Sequence, residues 1–196
     1  MMPCVPSTRD DVSWPVRTAR LTIRPATPAD ADATWAYRTD PSVARWTTRL
    51  AVDREQYAEW YASPEWLSSR LVIERDGVLV GELACEVKDG WAQVEVTDQA
   101  VDTEAEIGWI LAPEHQGQGF GTEAVEALLA ICFEQLGLRR VFAGCFADNE
   151  ASWRLAERVG MRRESHKVRD SLHREHGWLD GFEYGLLADE WRATPS

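Results

Sequence analysis

The spacing of apolar and polar positions divides the chain into two stretches with different periods. Thr18 to Pro25 alternates Leu21 and Ile23 against Thr22 and Arg24, which predicts a strand ended by proline. Asp30 to Thr39 and Arg54 to Trp66 carry helical patterns, the second rich in aromatics. Leu71, Val72 and Ile73 lead into Asp76-Gly77, a pair suited to a two-residue hairpin turn, and Val78 to Val87 resumes the strand pattern. Another turn at Asp89-Gly90 precedes predicted strands over Trp91 to Thr97 and Ala105 to Ala112. The first half therefore reads as helices followed by an antiparallel meander.

The second half changes character. A glycine-rich turn opens a long predicted helix, Thr122 to Leu136, with Val125, Leu128, Leu129, Cys132 and Leu136 on one face. Val141 to Phe146 reads as a short strand, and Glu150 to Val159 as a helix closed by Gly160. Two last strands, Met161 to Arg169 and Trp178 to Leu187, flank a polar segment holding His173 and His176, which are expected at the surface. A strand, long helix and strand in succession imply a right-handed parallel crossover in an otherwise antiparallel sheet. The predicted class is mixed α/β, with one domain over residues 18–192 behind a flexible N-terminal arm, residues 1–17.

Length and composition fit that picture. The 196 residues suit a single core, and 44% hydrophobic with 28% charged residues is a globular balance. A formal net charge of −12 argues against nucleic acid as a partner, since phosphate binding needs a basic surface. It favours cations such as protonated amines. The longest apolar run, Ala127 to Phe133, is far below the roughly 20 residues that span a bilayer, and residues 1–17 contain no signal-like apolar run. No membrane partner and a cytoplasmic location are expected. Cys4, Cys85, Cys132 and Cys145 are widely spaced and match no zinc pattern, so they read as free thiols, mostly buried, with no metal. A homodimer through a strand edge or surface aromatics is plausible without being specified.

The stretch Gln116-Gly117-Gln118-Gly119-Phe120-Gly121 carries the most information. Glycines at a helix start allow close backbone approach, and the free N–H groups with the positive dipole end suit a phosphate. A P-loop is excluded because the chain contains no Gly-Lys pair, and the spacing departs from the dinucleotide fingerprint. What remains is a pyrophosphate cradle or a ligand-free turn.

Gln116-x-x-Gly119-x-Gly121 resembles the [RQ]-x-x-G-x-[GA] signature of the GNAT superfamily of N-acetyltransferases. Ala105 to Pro113 before it is similar to the same family, and so are Asp148-Asn149-Glu150-Ala151-Ser152, Val159-Gly160-Met161 and Trp178-Leu179-Asp180-Gly181 after it, in the manner of the branch containing RimJ and RimL. The resemblance runs from about Thr18 to Trp191. It implies a mostly antiparallel sheet with a splayed parallel pair and flanking helices. It also implies acetyl-coenzyme A (acetyl-CoA) as cosubstrate, with its pyrophosphate on Gln116, Gly117, Gln118, Gly119, Phe120, Gly121 and Thr122. The strand Glu106 to Ala112 would bulge, and pantetheine would pair with free backbone groups near Ile110, Leu111 and Ala112, one N–H polarising the thioester.

Glu106 is the candidate general base. Strict alternation sets it opposite Ala105, Ile107, Trp109 and Leu111, and an amine with a pKa near about 10 must lose a proton before it can attack. The other reading of Glu106 is a half-exposed strand carboxylate paired with a cation. Glu95, on the predicted preceding strand, is the reserve. Asn149 is a cofactor ligand by resemblance or a plain helix cap, and Ser152 is a possible general acid by resemblance. Glu95, Asp98, Asp102, Glu104 and Glu106 form an acidic run with no Lys or Arg among them, either a lure for a cationic acceptor or a solvated face. Tyr57, Trp60, Tyr61 and Trp66 are core aromatics or an acceptor lip, with one at least near the surface. The expected activity is acetyl transfer to a primary amine, a protein N-terminus or a small molecule, by direct attack in a ternary complex. The alternative is a non-catalytic acyl-CoA-binding module.

Overall fold

A computed structural model describes residues 12–193. Its strands are β1 Val16–Arg17, β2 Thr22–Pro25, β3 Arg70–Arg75, β4 Val78–Lys88, β5 Glu104–Leu111, β6 Arg140–Phe146, β7 Arg162–His173 and β8 Gly177–Leu187. The helices are α1 Ala31–Arg38, α2 Pro41–Ala44, α3 Arg54–Tyr61, α4 Pro64–Leu67, α5 Phe120–Ala130, α6 Glu150–Arg158 and α7 Ala188–Ala193. The sheet order is β1-β2-β3-β4-β5-β6-β8-β7, antiparallel in every pairing that is resolved except β5 with β6. The fold is the mixed α/β arrangement expected. None of the described helices is long and apolar enough to cross a membrane.

Contacts divide the chain into two compact units. Among the described residues, one comprises Trp14–Cys85 and Gly108–Ala127, and the other comprises residues 12–13, Glu86–Ile107 and 128–193. In the first, β3 and β4 form a two-residue hairpin in which Asp76 and Gly77 both adopt positive φ, 51° and 78°, as a turn matched to strand twist requires. Ile23, Val72, Ile73, Val80 and Leu83 are almost fully buried there, each stabilising the fold by about 1.5–3 kcal/mol. Tyr57 and Tyr61 pack with Val72, Ala26 and Ala31, and Trp60 and Trp66 lie at the margin of that cluster. The expected helix over 54–66 is two helices. Pro64 has no N–H to extend α3, and Ser63 caps a new turn by accepting from Trp66 N–H at 3.3 Å.

Arg38 and Glu82 form a buried pair at 2.7 Å in the same unit, with the Tyr37 hydroxyl donating to the same carboxylate at 2.8 Å. Asp30, just before α1, closes the 3-10 turn Pro28–Asp30 by accepting from Thr27 N–H, and it also accepts from Arg24. Burial pushes the Asp30 carboxyl up, but the hydrogen bonds from Arg24 and Thr27 outweigh it and hold the group below the usual carboxylate range.

In the second unit Leu128, Leu129, Cys132 and Leu136 are buried as the helical spacing predicts, but the helix widens into a π segment, Ile131–Gln135, closed by the i→i+5 bond of Leu136 N–H on Ile131 C=O. The α6 helix ends with Gly160 at φ 87°, Gly160 N–H on Glu157 C=O and Met161 N–H on Ala156 C=O, a Schellman closure. Two expectations fail here. Trp91 to Thr97 is not a strand: Val94–Gln99 is a 3-10 turn, and Gly90 N–H on Ala100 C=O and Asp102 N–H on Asp89 close the segment as a loop. Trp91 and Val94 stay 92% and 88% exposed, so the alternation there had no sheet face to bury against. His173 is not at the surface but 3% exposed, its Nδ1 accepting from the N–H groups of Glu175 and His176 at 3.1 and 3.3 Å. Cys85 and Cys132 are buried free thiols and Cys145 is half-buried, while Cys4 lies outside the described residues.

Two stability outcomes are expected. Arg38→Met leaves Glu82 buried without its cation and should cost about 3–5 kcal/mol in urea denaturation. Asp30→Asn should cost about 1.5–3 kcal/mol at pH 7, the range for hydrogen bonds to a charged group. Because the folded pKa of Asp30 is depressed, that difference from the parent is full above the unfolded value near about 3.9 and shrinks as pH falls through the folded value.

Candidate active site

The glycine-rich turn lies between a 3-10 turn, Pro113–His115, and α5. Gly117 and Gly119 take φ values of 70° and 81°, conformations that an L side chain strains to reach. Gln116, Gly117, Gln118 and Gly119 are exposed, while Phe120 and Gly121 are buried beneath them and Thr122 is half-buried. The first turn of α5 presents N–H groups that have no partner within the helix. Two arginines that sequence reasoning missed flank this turn. Arg20 and Arg75 lie over the Phe120 ring at 4.6 and 4.9 Å, and Arg20 is fixed by Glu123 at 2.6 Å and by Gln118 C=O at 3.1 Å. Glu123 sits below its usual range despite burial, held there by hydrogen bonds from Thr18 and Arg20. An exposed turn of left-handed glycines at a helix start, with guanidinium groups beside it, fits a pyrophosphate.

The end of β5 is set by a close approach. A Cβ on Gly81 would stand 2.4 Å from Ile110 C=O and 2.7 Å from the Leu111 side chain, so β4 can run beside Ile110 only with glycine there. Ala112 N–H donates to Val80 C=O at 3.0 Å and Gln116 Nε2 donates to Leu111 C=O at 3.0 Å. Two of the backbone groups expected to be free are therefore occupied. Gln116 serves first as a clamp on the strand end, and Gln118 likewise reaches back to Glu114 C=O at 2.7 Å. The parallel register of β5 with β6 comprises Glu104 with Arg140, Ala105 with Val141 and Glu106 with Phe142, although β5 continues to Leu111 and β6 to Phe146. The parallel pair is thus present, and Glu106 is its last paired residue.

Around that point the second unit concentrates charge. Glu104 is buried and held by Arg139 and Arg140. Ala105 and Ile107 are buried while Glu106 is half-exposed, as alternation predicts. The Glu106 carboxylate accepts from Lys88 Nζ at 2.6 Å, and this hydrogen bond holds the Lys88 ammonium above its ordinary pKa. The acidic run is consequently not free of cations in space. Glu95 is exposed on the 3-10 turn rather than on a strand beside Glu106. Asn149 caps α6, its Oδ1 accepting from Ser152 N–H at 3.4 Å. Burial pushes the Cys145 thiol up, and a hydrogen bond from the Ser152 side chain partly offsets it. Neither the local role of Asn149 nor that of Ser152 prevents a second one toward a ligand.

The family model described as an acetyltransferase (GNAT) domain matches residues 20–162. YdaF of Bacillus subtilis (strain 168), provisionally named a ribosomal N-acetyltransferase, is 31% identical over 176 residues, 87% of this chain and 93% of that protein. YnaD of the same organism, an uncharacterized N-acetyltransferase, is 35% identical over 86 residues, a match that spans 44% of this chain and only half, 50%, of that protein. Spermidine N-acetyltransferase from Vibrio cholerae, solved in complex with CoA and spermine, superimposes with a TM-score of 0.72 at 19% identity, over 89% of this chain and 99% of that chain.

Gly119→Glu should abolish acetyl-CoA binding in a calorimetric titration. Its added side chain meets Arg20 Nη2 at 3.3 Å from Cβ and brings a negative charge into the turn. The left-handed φ should lower stability by only about 1–2 kcal/mol, so circular dichroism should still report a folded protein. Undiminished binding would remove the turn from the cofactor site.

Proposed function

The chain belongs to the acetyltransferase (GNAT) domain family, and from that premise we propose that it transfers an acetyl group from acetyl-CoA to a primary amine by direct attack within a ternary complex. The observation that carries this reading is the turn at Gly117 and Gly119, left-handed, exposed and flanked by Arg20 and Arg75 at the start of α5. Acetyl-CoA supplies the acetyl group as a thioester. Residues Gln116 to Thr122 hold its pyrophosphate through the first-turn N–H groups, and Arg20 and Arg75 add positive charge. With Ala112 N–H committed to β4, Ile110 and Leu111 are the residues whose backbone would polarise the thioester oxygen as charge develops on it. Asn149 would contact the pantetheine arm from the end of α6.

Glu106 takes a proton from the substrate ammonium, directly or through water. An amine with a pKa near about 10 is otherwise almost wholly protonated at pH 7 and has no lone pair to offer. Glu106 serves better than Glu95 because it stands on an ordered strand beside buried neighbours, whereas Glu95 is exposed on a turn. Ser152 would return a proton to the departing thiolate. A thiol with a pKa near about 8.5 leaves with little help, so this contribution is small. Direct attack is supported by the Cys145 thiol, which burial pushes up and so makes a poor nucleophile for an acetyl-enzyme.

We place the chain in the RimJ/RimL-like branch on its Asn149-containing and Trp178-containing motifs, and read it as a cytoplasmic protein. The acceptor is a cationic amine, either a protein N-terminus or a small molecule; one relative is named a ribosomal N-acetyltransferase and a structural neighbour a spermidine N-acetyltransferase. The reading is tested by screening amines for release of the CoA thiol. With an amine that turns over, Glu106→Gln should lower kcat at neutral pH by about 10²–10⁴ while the Kd for acetyl-CoA stays unchanged. Unaltered turnover would sink the assignment of Glu106 as base.

A further inference from the structure

The chain has nineteen arginines and only two lysines, Lys88 and Lys167. Only Lys88 is ion-paired to Glu106. Lys88 Nζ lies 2.6 Å from Glu106 Oε2 and 3.5 Å from Glu86, and 6.0 Å from the centre of the Phe142 ring. Lys167 is paired instead to Glu183 at 2.9 Å. The most buried paired carboxylates among the described residues are met by arginine: Asp30 by Arg24, Glu82 by Arg38, Glu123 by Arg20, Glu104 by Arg139 and Arg140. The difference is chemical. A guanidinium stays protonated at any working pH, whereas an ammonium can give up a proton and then act as a nucleophile. One of the chain's two convertible amines, Lys88, stands at the carboxylate assigned as the base.

We infer that Lys88 is an internal acetyl acceptor, a self-modification site loaded from acetyl-CoA when no external amine is present; the inference rests on the reading of Glu106 as base. Lys88 already occupies the position at Glu106 that a substrate ammonium must reach, with an equivalent charge at hydrogen-bond distance. In the step, Glu106 accepts a proton from the Lys88 ammonium and the freed Nζ lone pair attacks the thioester carbonyl. The N–C bond forms and the C–S bond breaks. Of the three ammonium protons, one stays on the new amide, one ends on the CoA thiol and one passes through Glu106 to solvent. Nothing is oxidised or reduced, and the only co-reactant is the acetyl thioester. The product is a neutral Nε-acetyl-lysine that no longer neutralises Glu106. Self-acetylation therefore proceeds once per chain and leaves the base without its nearest cation.

The test uses the purified full chain with acetyl-CoA and no amine, followed by intact mass and peptide mapping, with acetyl-CoA binding titrated in parallel. One acetyl group per chain is expected, on Lys88, at a rate independent of protein concentration. The label should be absent in Lys88→Arg, which keeps the cation, and at least about tenfold slower in Glu106→Gln. Lys167 reports the uncatalysed background in the same sample. Equal labelling of Lys88 and Lys167, or labelling undiminished in Glu106→Gln, would show simple chemical acylation and overturn the inference. An unlabelled Lys88 in a protein that binds acetyl-CoA and releases thiol with an added amine would overturn it too, leaving the proposed function intact. Failure to bind acetyl-CoA would overturn both.

Discussion

Everything proposed for this protein depends on how β5 is hydrogen-bonded along its length. Over its first three residues it pairs in parallel with β6, and beyond Glu106 that register stops. Parallel ladders are slightly weaker per residue than antiparallel ones, so so short a pairing needs reinforcement. Glu104 supplies it: buried at the first paired position, its carboxylate is gripped by Arg139 and by Arg140, the residue directly opposite in register. Arg140 in turn reaches Glu164 on β7 and Glu183 on β8, which ties the start of β6 into the antiparallel strands that follow. The far end of β5 is held separately, by the glycine contact at Gly81 and by Ala112 N–H on Val80. On the proposed reading, backbone amides near the end of β5 would be met by an extended, amide-bearing ligand, the same physics by which peptides add to sheet edges.

Glu106 stands where that change occurs, and its surroundings explain why its chemistry needs a partner. A lysine ammonium lies 2.6 Å from this half-exposed carboxylate, and that hydrogen bond holds the Lys88 pKa above its ordinary value. On the proposed reading a cationic substrate would take over the place of Lys88 before losing its proton, so that the ion pair and the general base would be two states of one site.

Much of this was legible in the chain because local signals there coincide with tertiary structure. Asp76-Gly77, Gly160 and the apolar face of α5 each need one backbone geometry or one buried side, and the residues present supply it. Where pattern misled, the pattern was real but had nothing to pack on. Residues 91–97 alternate like a strand, and with no sheet face beside them they close into an exposed turn. His173 looked like a surface residue because polarity in sequence says nothing about a ring buried by packing against Phe146 and His176. The pairing of Lys88 with Glu106 and of Arg20 with the glycine turn could not be read at all, since each joins residues far apart in sequence. The scarcity of lysine was the one available hint, and it became informative only once both lysines were placed.

Charge shows how local structure overrides composition. At a formal net charge of −12 the long-range field repels an anionic cofactor and draws cationic amines. At physiological ionic strength that field decays over about 8 Å, so contacts made at hydrogen-bond distance decide what is held. Around Phe120 those contacts are guanidinium groups and helix N–H groups, all favourable to phosphate oxygens. Around Glu106 they are a carboxylate and an ammonium, suited to exchanging one cation for another. On the proposed reading, an acidic chain would thus hold an anion at one set of residues and accept a proton from an amine at another, each set by a few residues rather than by the sum of its charges.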